Sequence, residues 1–304
     1  MSNLTEATLS VASGRQIAFA EWGPRDAPVV FYCHGFPGNY RELELSLPAV
    51  ERDGVRARVI ALNRPGYGRS AFQKNRRILD WPHDAATVAD HLGIDRFAVL
   101  GASGGAPYAL ACASALSDRV TRVGIVVGVA PIDAPGMRDT PTITGWSKRN
   151  VIRRLQFAAT AAAVNSGRND RITSRVVATL GEPDRNAMED PEVRRWFLRM
   201  AREAYTHSGR GGAYEAGLYR QPWGFDLGRV TAETSLWYGG ADTWVPASAG
   251  RWLAEQLPNS RYTTWAEHGH FSWAITGRAA EIIAGITAPH DGPTPTTTTN
   301  PTTS

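Results

Sequence analysis

The stretch Phe97-Ala98-Val99-Leu100-Gly101-Ala102-Ser103-Gly104-Gly105 decides how this chain is read. Its first four residues are apolar and short enough for a buried strand, and residues 106–114 continue as a small-residue helical stretch. A serine between glycines at such a junction fits a sharp turn. The turn forces the serine backbone into a sparsely populated φ/ψ region, and bulky neighbours would clash. The hydroxyl then stands clear of the sheet, and the N–H groups opening the new helix face it. Ser103 is therefore a candidate nucleophile.

A serine hydroxyl is a poor nucleophile until a base takes its proton, and the base needs an acid to orient it. Residues 234–238 read as a strand that runs into Gly239-Gly240-Ala241-Asp242-Thr243-Trp244-Val245-Pro246. Residues 261–265 read as another, ending in Ala266-Glu267-His268-Gly269-His270-Phe271. Asp242 and His270 thus lie on loops past the carboxyl ends of strands, where functional groups gather in open α/β sheets. Asp133, after an earlier strand, is a rival acid, and His268 is a rival base. His83, His91, His207 and His290 fall in helical or tail contexts and have no matching position.

Outward from the serine turn, the first part of the chain alternates strand and helix. Residues 7–12 and 16–22 read as an opening strand pair turned at 13–15. Strands at 29–33, 56–62, 97–100 and 123–129 follow, with helices at 41–52 and 81–92, the latter stopped by Gly93. The 123–129 run is almost purely apolar, as expected of a parallel strand covered on both faces. The alternation predicts an α/β fold with a mostly parallel sheet flanked by helices. After Pro135-Gly136 strand signals fade, and helical segments appear at 146–164, 171–180, 191–207 and 213–219, the last after a Gly-rich break at 209–212. The expected organisation is a core of 1–135 and 225–286, a helical cap of 136–224, and a final helix at 272–286. The Pro/Thr-rich tail 287–304 cannot bury enough surface to offset its ordering entropy and is expected to be disordered.

The order Ser103, Asp242, His270, together with two loop motifs, resembles the α/β-hydrolase superfamily of serine hydrolases over roughly residues 8–286. Cys33-His34-Gly35-Phe36-Pro37-Gly38 is similar to its His-Gly-x-Pro oxyanion loop, and Asn63-Arg64-Pro65-Gly66-Tyr67-Gly68-Arg69-Ser70 to its Asp-x-x-Gly-x-Gly-x-Ser segment. Asn63 stands where that family has Asp. The resemblance implies that the backbone N–H groups of Phe36 and Gly104 form the oxyanion hole. It implies His270, between a small and an apolar residue, as base, and Asp242, in its Gly-Gly-Ala-Asp-x-x-Val-Pro context, as acid. Members with epoxide hydrolase or dehalogenase chemistry carry Asp at the serine position. A cap in this family roofs the site, so Phe157, Trp196, Phe197, Tyr205, Tyr214 and Tyr219 are candidates to line a cavity, although each is more simply read as packing. Arg64 and Tyr67 are placed near the cavity mouth as substrate contacts or, more simply, as loop-fixing residues. His34 reads as an anchor of its own loop.

Composition fits this picture. The chain has 304 residues, 42% hydrophobic and 20% charged, enough for a substantial core. The net charge of +4 arises in the middle of the chain, where residues 131–230 hold sixteen Arg/Lys against eleven Asp/Glu. The charges interleave as on solvated helix faces, so neither nucleic acid nor membrane is expected as a partner. Cys33 and Cys112 read as buried thiols, which suits a reducing compartment. No secretory signal or membrane span is visible, and a cytoplasmic location is expected. No metal-ligand or phosphate-loop spacing occurs. The expected activity is cofactor-free hydrolysis of a small carboxylic ester, lactone or thioester. The same triad could instead serve carbon–carbon bond hydrolysis, amide cleavage or perhydrolysis, or the fold could keep its cavity as a ligand receptor without turnover.

Overall fold

A computed structural model describes residues 4–11, 13–140, 144–166, 174–206 and 208–288. Eight strands form one sheet in the order β1-β2-β4-β3-β5-β6-β7-β8. They are β1 (Thr5–Ser10), β2 (Gln16–Trp22), β3 (Val29–Cys33), β4 (Arg58–Leu62), β5 (Phe97–Ala102), β6 (Val120–Val126), β7 (Glu233–Gly239) and β8 (Ser260–Trp265). β2 runs antiparallel to both β1 and β4, and every other pairing is parallel. β3 lies between β4 and β5, so the chain switches direction of progress there, and a crevice opens above its carboxyl end.

The alternation of side chains along the strands supplies two cores. Phe31 and Cys33 of β3 face one side, where α2 (Trp81–His91) and α3 (Ala106–Ala115) cover them. Val30 and Tyr32 face the other, against α1 (Leu47–Arg52) and the C-terminal helices. Between β6 and β7 come α4 (Asn150–Asn165), α5 (Glu182–Ala187), α6 (Pro191–Ala204) and α7 (Arg210–Leu218), with no strand among the described residues there. α6 shows why such a segment docks. Val193, Trp196, Phe197, Met200 and Ala204 recur at helical spacing and are all buried, while Arg195, Arg199 and Arg202 between them are exposed. With Leu180 and Met188 this stripe closes over Phe271, next to His270. The chain then returns through α8 (Ala247–Gln256), α9 (Ser272–Ile275) and α10 (Arg278–Thr287).

Several boundaries differ from the sequence reading, each for a local reason. The apolar run expected to be a strand over 123–129 pairs only as far as Val126. Val127 adopts φ +43°, and the Val129 N–H donates to the Ser103 carbonyl, so this end wraps the serine turn instead. The helix expected at 41–52 is a 3₁₀ turn, Tyr40–Leu43, followed by α1, with Pro48 in its first turn. The final helix is split at Gly277 (φ +84°) into α9 and α10. Part of the 171–180 segment, His207, His290 and nearly all of the tail lie outside the described residues. Cys33 and Cys112 are buried and unpaired, and burial pushes the Cys33 thiol up to about 11. No described helix is long and apolar enough to cross a membrane.

Candidate active site

β5 passes into α3 through a single 3₁₀ turn, Ser103–Gly105. Ser103 has φ +50°, the left-handed region that a non-glycine residue adopts only where its surroundings impose it. The surroundings are tight. A Cβ added to Gly105 would fall 1.9 Å from the Cys33 carbonyl oxygen, so only glycine lets the turn nest against β3. The serine hydroxyl is thereby held at the crevice, nearly buried.

The loops after β7 and β8, neighbouring parallel strands, bring the other two residues to it. Ser103 Oγ lies 2.9 Å from His270 Nε2, and His270 Nδ1 lies 2.8 Å from Asp242 Oδ2. A carboxylate only accepts, so Nδ1 carries the proton and Nε2 is free to accept from the hydroxyl. Asp242 is itself fixed, since its Oδ1 accepts the Trp244 and Val245 N–H groups at 2.7 and 3.0 Å. Burial alone would lower the imidazole's proton affinity. The charge and hydrogen bond of Asp242, with Asp184 and Glu42 farther off, outweigh it and raise the His270 pKa above its ordinary value.

The rivals are elsewhere. Asp133 is exposed and paired with Arg138. His268 rests on the Trp265 ring with its Nε2 3.5 Å from Thr276 Oγ1.

The loop after β3 faces Ser103 from the opposite side. The Gly35 carbonyl accepts from Arg64 Nη2 and from His34 Nδ1, each at 2.8 Å. In a planar trans peptide the N–H points away from the C=O, so the Phe36 N–H faces away from these donors. A Cβ added to Gly104 would lie 3.1 Å from that nitrogen. The N–H groups of Phe36 and Gly104 thus belong to adjoining backbone beside the hydroxyl. The Gly35 N–H is taken by Glu42 Oε2 at 2.5 Å, so both sides of this glycine are tied down. His34 accepts the Arg64 N–H at Nε2, and burial holds its pKa well below the ordinary value, so the ring is a neutral strut.

Arg64 and Tyr67 correct the expectation of a place at the cavity mouth. Both are fully buried behind the loop. Arg64 Nε and Nη2 pair with Glu215 on α7 at 2.7 and 3.0 Å, and Tyr67, Tyr108 and Arg76 complete the shell around that carboxylate. Burial opposes ionisation of Glu215, but Arg64 and Arg76 outweigh it and hold its pKa far below the usual carboxylate range. Asn63, standing where the resembled family has Asp, accepts the Tyr40 N–H at 2.8 Å, but its amide nitrogen has no partner among the described residues.

A cavity of about 320 Å³ opens onto Ser103 and His270. Trp146, Val164, Phe197, Met200 and Tyr205 of the β6–β7 segment form its roof, with Trp244 and Phe271 beside the imidazole. Of the six aromatic residues proposed from sequence, Phe197 and Tyr205 line it. Phe157 and Trp196 are packed in the interior, Tyr214 donates to the Arg76 carbonyl, and Tyr219 donates to the Gly104 carbonyl. Sequence reasoning did not find Glu42, Asp184 or Glu215. Each sits in a helical stretch of mixed charge, and each meets its partner only through tertiary contact.

A family model described as alpha/beta hydrolase fold matches residues 28–273, and the chain belongs to that family. Among curated relatives it is 31% identical over 126 residues to the bifunctional esterase/perhydrolase DCH of Acinetobacter calcoaceticus, covering 41% of this chain and 45% of that protein. It is 34% identical over 121 residues to epoxide hydrolase B of Mycobacterium tuberculosis, covering 38% and 33%. The matches thus span less than half the length of these relatives. Among solved structures, the esterase RhEst1 from Rhodococcus sp. ECU1013 superposes with a TM-score of 0.70 at 19% identity, covering 95% of this chain and 99% of that one, a likeness of fold.

Proposed function

We propose that the protein is a serine hydrolase that cleaves small carboxylic esters, lactones or thioesters with an apolar acyl part, through an acyl-enzyme. The observation that carries this reading is the unbroken chain from Ser103 Oγ to His270 to Asp242, at 2.9 and 2.8 Å. On this mechanism His270 takes the Ser103 proton as Oγ attacks the carbonyl carbon. The oxyanion is held by the Phe36 and Gly104 N–H groups, each such donor contributing about 2.7–4 kcal/mol to transition-state stabilisation. His270 then passes the proton to the leaving oxygen or sulfur. A water, deprotonated by the same imidazole, releases the acid, while Asp242 stabilises the transient imidazolium. Serine at the turn disfavours epoxide opening, for which the resembled enzymes use Asp. Residues 136–224 act as the cap, and their mostly apolar roof, which also carries Thr160, Arg175 and Thr179, favours apolar acyl groups and excludes water.

Perhydrolysis is the second reading, favoured by the likeness to an esterase/perhydrolase. Hydrogen peroxide would replace water in attacking the acyl-enzyme and give a peracid. A panel of p-nitrophenyl esters, with and without peroxide, and a fluorophosphonate label test both. Ester turnover and labelling that vanish in Ser103→Ala are expected. Folded wild-type protein that neither turns over nor labels would instead favour the reading of a ligand receptor.

A further inference from the structure

We propose that Asp184, on the inserted helix α5, is a positioning residue for His270, holding the loop that carries the imidazole and fixing the ring between Ser103 and Asp242. The proposal rests on the reading of His270 as the base. Asp184 is fully buried and makes no ion pair among the described residues. Both of its oxygens are spent on the loop after β8. Oδ2 accepts the His270 N–H at 2.5 Å, and Oδ1 accepts the Phe271 N–H at 3.1 Å and the Ser272 hydroxyl at 2.9 Å. The Ser272 Oγ in turn accepts the Gly269 N–H at 2.8 Å, which obliges the hydroxyl to donate to Asp184. Four consecutive residues, 269–272, therefore hang on one carboxylate, two of them through the backbone N–H groups that flank the imidazole's own Cα.

The fit is close. A Cβ added to Gly269 would fall 2.3 Å from Asp184 Oδ2, so glycine at 269 is what admits the carboxylate. The same stretch of the insertion braces the acid loop as well. Gly181 is packed against the Ala241 carbonyl, the Thr179 carbonyl accepts from Thr243 Oγ1 at 2.8 Å, and the Thr179 hydroxyl accepts from Trp244 Nε1 at 3.0 Å. Residues 179–184 thus form a wedge seated on the loops of both His270 and Asp242. Burial raises the Asp184 pKa above its ordinary value, the surrounding donors offsetting this only in part, and its negative charge adds to that of Asp242 in favouring protonated His270. The charged or titratable groups facing the imidazole are Asp242 from the loop after β7, Asp184 from α5 and Glu42 from the turn after β3.

Asp184→Asn is the decisive variant, because its amide must turn an N–H towards one of the backbone donors. Expected is a fall in kcat of about 10²-fold, the scale of a misplaced catalytic group, with KM nearly unchanged. The acid limb of the kcat/KM profile should move to lower pH, because the lost charge lowers the proton affinity of His270. An NMR titration of the His270 ring should move the same way, whether or not the protein turns over any ester tried. Ser272→Ala, which keeps Asp184 and both backbone bonds, should show a smaller loss in kcat. If Asp184→Asn folds, an unchanged kcat per labelled site and an unchanged His270 titration overturn the proposal. If it does not fold, wild-type kcat in Ser272→Ala overturns it. Absence of fluorophosphonate labelling in wild-type protein would instead remove the hydrolase reading, leaving the ring titration to decide the role of Asp184.

Discussion

Ser103 occupies a left-handed backbone conformation while its hydroxyl sits 2.9 Å from an imidazole whose far nitrogen is already bound. Such a residue acts only as part of a unit. On the proposed mechanism, Ser103→Ala and His270→Ala each lower kcat by about 10⁶, and the double variant loses no more than either alone. Additive losses, measured by steady-state kinetics on one ester, would show that the two side chains work separately. The pH dependence follows from the raised His270 pKa. The ring must be neutral to accept a proton, so activity should fall on the acid side at a pH above about 6.5, the ordinary histidine value. A kcat/KM profile with its acid limb below that value would mean that burial, not Asp242, governs the ring. These three residues could be read from sequence because each follows a recognisable strand on a short loop. Asp184 could not be, since it acts across 86 residues of chain on backbone N–H groups that carry no side-chain signature.

At the scale of elements, the inserted helices do two separate things: they close the cavity and they brace its walls. Trp146 stands at the roof, stacked on Phe157 at 3.8 Å between ring centroids. Trp146→Ala should lengthen the preferred acyl chain, with each methylene admitted to the new space contributing about 0.8 kcal/mol. Rates over p-nitrophenyl esters of increasing length test this, and an unmoved optimum would place the limiting wall elsewhere. α7 does the bracing. Glu215 reaches Arg64, whose guanidinium holds the Gly35 carbonyl and so keeps the Phe36 N–H turned towards Ser103. Glu215→Gln breaks a buried pair from one side and should destabilise the fold by about 3–5 kcal/mol, read by denaturant unfolding. A loss below about 1 kcal/mol would mean that Arg64 finds other acceptors. The sequence placed α4, α6 and α7, because strand signals lapse after residue 136, but not α5, which falls between two of the expected helical stretches. It did not place their ends or the carboxylates within them, since a glutamate at 215 beside Tyr214 looks like any solvated helix residue. Strand β6 teaches the same lesson. Its apolar run continues past the sheet, with the Val127 N–H donating to the Trp237 carbonyl and the Val129 N–H to the Ser103 carbonyl, and hydrophobicity alone does not distinguish the two fates.

For the whole molecule, buried acids of opposite sign of shift set how stability varies with pH. Glu215 has a strongly depressed pKa, so its contribution is complete above the unfolded value of about 4.3 and is lost as pH falls towards the folded one. Glu42 and Asp184 are shifted upwards by burial, so their folded forms bind a proton more readily than the unfolded chain does, and lowering the pH relieves that penalty. His270, also raised, contributes stability that is full below about 6.5 and fades as pH rises through its folded pKa. Going down from neutrality, the gains from His270, Glu42 and Asp184 are opposed by His34, whose buried ring stays neutral while the unfolded chain takes up a proton below about 6.5, and the loss from Glu215 comes last. Stability should therefore fall most steeply below about pH 4, where Glu215 begins to titrate and well below the range where the proposed enzyme activity is already falling. Urea unfolding at a series of pH values tests the ordering, with Glu215→Gln as the comparison. The variant should be less stable at pH 7, and its curve should be flatter on the strongly acid side because the group that titrates there is gone. Parallel curves for the two proteins would mean that Glu215 keeps the same proton occupancy folded and unfolded, and the ionised network joining α7 to the loop after β3 would have to be abandoned.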